Sequence, residues 1–267
     1  MQITLPPHSE NGIIAPVNQL AISFVLEWLK EVRDSREELP RASRASVLRI
    51  AESRSLSPAP GPAAKASALA TVNARVAACA KCPHLACSRT QTVFGVGNPD
   101  AELMFIGEAP GADEDARGEP FVGRAGQLLT RIIETMGLSR ADVYIANILK
   151  CRPDTPGSMA GNRPPTPVEI QTCIGYSIEQ IEIIEPKVMV ALGATAVEGL
   201  LGARGIMREL RGTWRSFRNT PLMITYHPSY LLRNQSQSEK RKVWEDMLAV
   251  LQKLQRPISE KQRSYFL

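Results

Sequence analysis

Four short apolar runs rich in β-forming residues punctuate the chain after residue 100: Glu102 to Gly107 (ELMFIG), Val143 to Asn147 (VYIAN), Val188 to Gly193 (VMVALG) and Leu222 to Tyr226 (LMITY). Each ends in a polar or turn residue, the mark of strands buried on both faces. Between and after them lie segments of helical periodicity, Gly123 to Met136, Pro167 to Ile184, Ala194 to Leu201 and Ser238 to Leu254, with Thr166-Pro167 supplying an N-cap and a proline at the first helical position. A βαβα order predicts an α/β fold, a three-layer α/β/α arrangement around a central four-stranded, mainly parallel sheet with right-handed crossovers. In such sheets the ligand sits beyond the carboxyl ends of the strands. No internal repeat is present.

The first 70 residues have a different texture. Residues 17 to 33 space Leu20, Phe24, Val25, Trp28 and Leu29 near a 3.6 period, one amphipathic helix that docks on an unknown partner or on the main domain. Charges dominate Asp34 to Arg54, and Ser55 to Ala70 (SLSPAPGPAAKASALA) reads as a linker, too poor in apolar bulk to offset chain entropy. The expected organisation is an N-terminal extension over 1–70, a catalytic-type domain over 71–256 and a tail over 257–267. Of the 267 residues 43% are hydrophobic, ample for a core in the second part. No run reaches the roughly 18 to 20 apolar residues of a spanning helix, and the N-terminus lacks the basic-then-apolar pattern of an export signal. The expectation is a cytoplasmic protein without membrane partners, whose five cysteines are metal ligands or buried thiols and not disulfides.

Chemistry concentrates after the first strand, in Gly107-Glu108-Ala109-Pro110-Gly111 and its acidic sequel Asp113, Glu114 and Asp115, most of which reads as a solvated loop. Glycines there let backbone approach a ligand, and a helix N-terminus follows. It is not a nucleotide-phosphate loop, because no G-x-x-x-x-G-K-[ST] occurs and Gly95-Val96-Gly97 precedes a strand. Cys79-Ala80-Lys81-Cys82 is a C-x-x-C pair that joins Cys151 and Cys173 as a four-thiolate set, suited on ligand type to Zn²⁺ or to a [4Fe–4S] cluster; Cys87, close enough to the pair to replace Cys82, reads as spare. The net charge of +5 gains meaning from clustering: Ala203 to Lys242 carries nine basic residues (Arg204, Arg208, Arg211, Arg215, Arg218, Arg233, Lys240, Arg241, Lys242) against Glu209 and Glu239, as phosphate binding requires.

Residues 107 to 129 resemble the first motif of the family 4, iron–sulfur uracil-DNA glycosylases. The likeness continues through Asn147, Cys151-Arg152-Pro153, Asn162-Arg163-Pro164-Pro165, Leu192-Gly193 and His227-Pro228-Ser229-Tyr230-Leu231-Leu232-Arg233, covering roughly residues 76 to 250. The resemblance implies a monomer that hydrolyses the N-glycosidic bond of uracil in single- or double-stranded DNA, the first step of base excision repair. It implies a [4Fe–4S] cluster on Cys79, Cys82, Cys151 and Cys173, a substrate pocket lined by Gly107, Ala109 and Gly111, a base stacked on Phe121 and its edge read by Asn147. His227 would donate to uracil O2 and stabilise the pyrimidine anion. Ser229 would bind a phosphate, with Tyr230, Leu231 and Leu232 as the wedge that fills the flipped base's gap and Arg233 beside them on the DNA. Two departures stand out. Ala109 occupies the place where better-known relatives position water with an aspartate, leaving Glu108 and Glu114 as the nearest carboxylates, and Asp154 to Gly161 resembles an insertion between the third and fourth cluster ligands. Three rivals follow: a relative that traps uracil-DNA covalently through a histidine after the third ligand, opposed by the lack of histidine in residues 152 to 172; a non-catalytic iron–sulfur DNA-binding module, favoured by Ala109 and opposed by Asn147 and His227; and a superfamily member with a different damaged-base preference.

Overall fold

Five-residue strands buried at every position form the centre of the sheet. In the computed structural model, which describes residues 60–154 and 163–267, β2 (Leu103–Gly107) pairs in parallel with β3 (Tyr144–Asn147) on one side and with β4 (Val188–Leu192) on the other, and β4 pairs in parallel with β6 (Thr220–Thr225). This is the expected four-stranded parallel core. Two short antiparallel strands extend it, β1 (Val96–Gly97) on β3 and β5 (Trp214–Phe217) on β6, giving the order β1-β3-β2-β4-β6-β5. The edge strands escape a search for continuous apolar runs because they are short and part-exposed.

Side chains that alternate along each strand feed two apolar layers. Met104, Ile106, Tyr144, Ala146, Met189 and Ala191 join one face with α1 (Pro62–Ala77), α5 (Pro167–Ile184) and α6 (Ala194–Leu201). Leu103, Phe105, Ile145, Val190 and Leu192 face α4 (Arg124–Thr135) and α9 (Gln237–Lys253). The result is the three-layer α/β/α arrangement. Helix α5 starts as its sequence dictates: Thr166 accepts from the Glu169 amide, Glu169 accepts from the Thr166 amide, and Pro167 occupies the first turn. Short helices α2 (Pro83–Ser88), α3 (Ala112–Arg117), α7 (Met207–Leu210), α8 (Pro228–Arg233) and α10 (Glu260–Ser264) complete the described elements.

From Pro60 to Leu267 the chain forms one compact unit. The expected helix over 17–33 and the charged stretch over 34–54 lie outside the described residues, as does 155–162, most of the expected insertion. The linker expected to reach Ala70 is helical from Pro62: α1 buries Leu69, Val72 and Val76 in the core, and the Lys65 ammonium bonds Asp100 (2.8 Å) and the Ile184 carbonyl (2.9 Å). A few well-spaced apolar residues on an alanine-rich helix suffice once a core layer, here alongside α5, receives them. The expected tail is docked as well, since Trp244 donates to the Gln262 carbonyl and its ring meets Tyr265 edge-on.

Candidate active site

The carboxyl ends of β2 and β4, whose following connections diverge, open onto a cavity of about 620 Å³. Its walls bring together Glu108, Ala109, Gly111, Glu114, Phe121, Asn147, His227, Ser229, Tyr230 and Arg233, which are scattered over more than a hundred positions in sequence. Gly107 lies beneath them, opposite Asn147 in the β2–β3 register. A side chain there would collide with the Asn147 carboxamide oxygen and the Phe121 ring, so glycine is what permits these two groups to share the floor.

Asn147 is 2% exposed, and its Oδ1 is buried without a hydrogen-bond partner among the described residues. Such an atom costs on the order of 1–3 kcal/mol unless a ligand satisfies it. Phe121 is buried at a left-handed backbone conformation, φ 55°, and its ring centroid lies 5.5 Å from that of His227. His227 caps α8: Nδ1 accepts from the Ser229 amide (3.2 Å) and pairs with the Ser229 hydroxyl (2.8 Å). A backbone N–H can only donate, so Nδ1 carries no proton and the neutral ring bears its hydrogen on Nε2. Burial, aided by the Arg233 charge, pushes the His227 pKa down to about 4, which keeps the ring neutral at physiological pH.

The two glutamates have different duties. Glu108 accepts from the Thr195 hydroxyl, a bond that spans the ends of β2 and β4. Glu114 accepts three backbone amides, Gly111 (3.0 Å), Val122 (2.9 Å) and Gly123 (2.9 Å). The acidic run is the first turn of α3 and not a solvated loop, because Asp115 is buried and accepts twice from the Thr90 amide.

Cys79, Cys82, Cys151 and Cys173 line one small pocket of about 20 Å³ with Arg89, Leu149 and Glu169, while Cys87 is exposed and apart. Arg89 donates to the Cys151 sulfur (3.0 Å) and the Lys150 amide to the Cys173 sulfur (3.3 Å). Burial raises the thiols of Cys82 and Cys151 and pushes Cys173 up to about 11. Among the described residues no three His, Cys, Asp or Glu side chains converge to hold a metal ion. The donor set nevertheless fits a sulfur-liganded group: four thiols in one pocket, two of them already receiving the N–H bonds that stabilise thiolates. At its rim Glu169 receives a two-point contact from Arg163 (2.6 and 2.9 Å), and these bonds hold its carboxyl down to about 2.

The expected DNA-contacting loop is altered by packing. Leu231 is 5% exposed within an apolar cluster and is not presented as a wedge in this conformation; Leu232 is half-buried. The Ser229 hydroxyl is engaged by His227, and Tyr230 packs on Tyr226 and bonds Glu239 (3.2 Å). Only Arg233 of this group is exposed at the cavity mouth. Of the nine basic residues, five form ion pairs: Arg204 with Glu198, Arg211 with Asp246, Arg218 with Glu182, Arg241 with Glu245 and Lys242 with Glu239. Partners distant in sequence, such as Asp246, make the stretch less basic than its composition suggests. Sequence reasoning placed Arg163 in a motif but gave it no role, although it lines the cavity; it missed buried Lys150, whose ammonium bonds the Asn147 carbonyl (2.8 Å) and Gln180 (2.6 Å) and is lowered by burial to about 7. No periodicity flags either one.

Residues 94–248, more than half of the chain, match the model of the uracil DNA glycosylase superfamily. The chain is 46% identical over 179 residues to a type-4 uracil-DNA glycosylase of Thermotoga maritima, covering 66% of this chain and 89% of that one. It is 39% identical over 186 residues to the type-4 uracil-DNA glycosylase of Archaeoglobus fulgidus (64% and 88% covered) and 40% identical over 163 residues to that of Pyrobaculum aerophilum (58% and 80% covered).

Proposed function

We infer the activity from the premise that the chain belongs to the uracil DNA glycosylase superfamily, in its type-4 branch. It is a DNA glycosylase that hydrolyses the N-glycosidic bond of uracil in DNA and leaves an abasic site for base excision repair. The observation that carries this reading is the buried, unpartnered Asn147 Oδ1 in a cavity shared with Phe121 and the Nε2–H face of neutral His227. A uracil stacked on Phe121 presents N3–H to Asn147 Oδ1 and O4 to its amide. Cytosine reverses both groups and is refused, because buried polar atoms would then oppose like atoms.

As the bond between C1′ and N1 breaks, its electron pair moves into the pyrimidine, and the Nε2–H of His227 donates to O2, where charge develops. A neutral imidazole suffices, and its low pKa means that it stabilises the anion without first surrendering a proton. Water then bonds to C1′, and the proton it releases is taken up through solvent by the departing uracil anion, so that the products are the abasic sugar and neutral uracil. Ala109 offers no base, and Glu114 is occupied by three amides, so Glu108, oriented by Thr195, is the carboxylate left to orient water or face the cationic sugar. Leaving-group stabilisation carries most of the rate enhancement.

Cys79, Cys82, Cys151 and Cys173 hold a [4Fe–4S] cluster in this reading. Four thiols that line one pocket supply one thiolate to each iron of such a cluster, and the likeness to type-4 uracil-DNA glycosylases favours the cluster over a single zinc. When bound, it supplies a rigid crosslink between the end of α1, the segment after β3 and α5. The partner is uracil-containing DNA, single- or double-stranded, met by a monomer through Arg233 and the unpaired basic residues around it. The site of action is the cytoplasm. Among the described residues no helix is long and apolar enough to cross a membrane.

The test is incubation of catalytic amounts of holoprotein with end-labelled oligonucleotides bearing one uracil, followed by hot alkali. Multiple turnovers are expected. Tight binding without strand cleavage would replace the enzyme with a binding module.

A further inference from the structure

Phe121 is a bulky residue at φ 55°, a region that costs such side chains conformational energy and persists only when neighbours enforce it. The enforcement is visible on both flanks. Arg140, from the loop between α4 and β3, donates through Nη2 to the Pro120 carbonyl (2.8 Å) and through Nη1 to the Phe121 carbonyl (3.1 Å). Glu114 accepts the amides of Val122 and Gly123. The peptide unit joining Phe121 to Val122 is therefore held by its oxygen from one side and by its N–H from the other, while the preceding unit is held by its oxygen. Fixing these two planes fixes the torsions of Phe121. Gly126 closes the third side, because a side chain there would overlap the Phe121 backbone.

We infer that Arg140 is a positioning residue for the proposed reaction, and Glu114 its counterpart: together they clamp the strained turn that presents the Phe121 ring to the flipped base. Arg140 does not line the cavity and so does not touch substrate. Its planar fork matches two successive carbonyls, and Thr130 Oγ1 takes a further bond from Nη1 (3.3 Å), which fixes the guanidinium in turn. The motif that places Glu114 near the chemistry thus serves the geometry of the stack. This inference rests on the uracil-excision reading for its use, but the clamp itself can be read without activity.

The experiment is a double-mutant cycle between Arg140→Met and Phe121→Gly on the holoenzyme, with kcat and KM for uracil-containing DNA and amide exchange at Val122 and Gly123. Glycine at 121 removes both the ring and the strain, so nothing remains for Arg140 to hold. Arg140→Met alone is expected to lower kcat about tenfold with KM within about twofold, and to speed exchange of the two amides; in the Phe121→Gly background it costs less than about twofold. Arg140→Lys, which restores a donor and the charge, is expected to recover part of the loss, and it replaces Met in the cycle if Arg140→Met fails to fold. Equal losses in the two backgrounds, or unchanged amide exchange, overturn the clamp while leaving an active wild type untouched. A wild type that releases no uracil overturns the activity and this use of the clamp, and the exchange data alone then report whether the turn is held.

Discussion

Gly107→Ala adds one methyl group at the point where the floor of the cavity is tightest. The backbone there is one that alanine adopts without strain, so the effect is one of space alone. The new Cβ would lie 2.7 Å from Phe121 Cε2 and nearer still to Phe121 Cζ and Asn147 Oδ1. Carbon atoms rest about 3.5–4.0 Å apart, so something must yield by about 1 Å. Strand β2 cannot yield readily, being bonded to β3 and β4 at once. Phe121 is held by Arg140 and Glu114, and Asn147 sits on β3 with its carbonyl bonded by Lys150 and Ser177. The displaced groups are therefore the two that stack on and read the base. Overpacking of this kind costs about 1–3 kcal/mol of stability, and a misplacement of about 1 Å costs on the order of a hundredfold in rate. Single-turnover uracil excision should fall about a hundredfold, with urea denaturation showing a protein that is still folded at 25 °C. A useful control is Gly175→Ala on the exposed side of α5, where a side chain meets nothing within 4 Å; it should gain up to about 1 kcal/mol from helix propensity and leave the rate unchanged. A Gly107→Ala rate within threefold of wild type would refute the crowding argument.

Replacing Asn147 by Asp puts an acceptor where uracil O4 needs a donor; uracil excision should drop by at least about a hundredfold and the preference for uracil over cytosine should collapse. An unchanged ratio in competition with cytosine-bearing DNA would remove Asn147 as the reader. For His227, the folded pKa of about 4 lies below the unfolded value of about 6.5, so the unfolded chain binds more protons between them and stability falls as pH drops through that window. Denaturation of wild type at pH 7 and pH 5 should differ from that of His227→Gln by up to about 2 kcal/mol, less whatever the partly open ring edge screens, and identical pH dependence in the two would show that the ring is not buried neutral. Anaerobically purified protein should be brown with about four irons per chain, and Cys173→Ser should lose colour and melt earlier; colourless protein carrying one zinc would contradict the cluster.

What a linear chain discloses here depends on whether the deciding partner is local. The central strands are legible because burial on both faces demands an unbroken apolar run, and the start of α5 because Thr166, Pro167 and Glu169 act on one another. The first helix is not legible in the same way. Its Pro/Ala/Ser composition matches a linker, and what makes it a helix is the core alongside α5 that receives Leu69, Val72 and Val76. Clustered basic residues mislead for the opposite reason: Asp246 and Glu182, which neutralise Arg211 and Arg218, come from α9 and α5, outside the basic stretch. Leu231 reads as a wedge by its place in a loop motif, but α8 turns it inward onto Tyr226 and Val243.

The same rule separates the two glutamates, on which the chemistry turns once Ala109 offers no base. Both stand in one motif, six residues apart, and only nearness to Ala109 puts Glu108 first and Glu114 second. The difference arises when the chain closes on itself. The turn that carries Phe121 brings the Val122 and Gly123 amides to Glu114, and a carboxylate accepting three amides is poorly placed to pull on water as well. Among the described residues Glu108 meets only the Thr195 hydroxyl, from the far side of the cleft between β2 and β4, and keeps acceptor capacity facing the cavity. Its single hydroxyl partner orients the carboxylate without exhausting it, which is what positioning a water at C1′ requires. Glu108→Gln should therefore slow excision through kcat, whereas Glu114→Gln, which keeps one acceptor oxygen and loses the charge, should act through the Phe121 turn and be relieved in part when residue 121 is glycine.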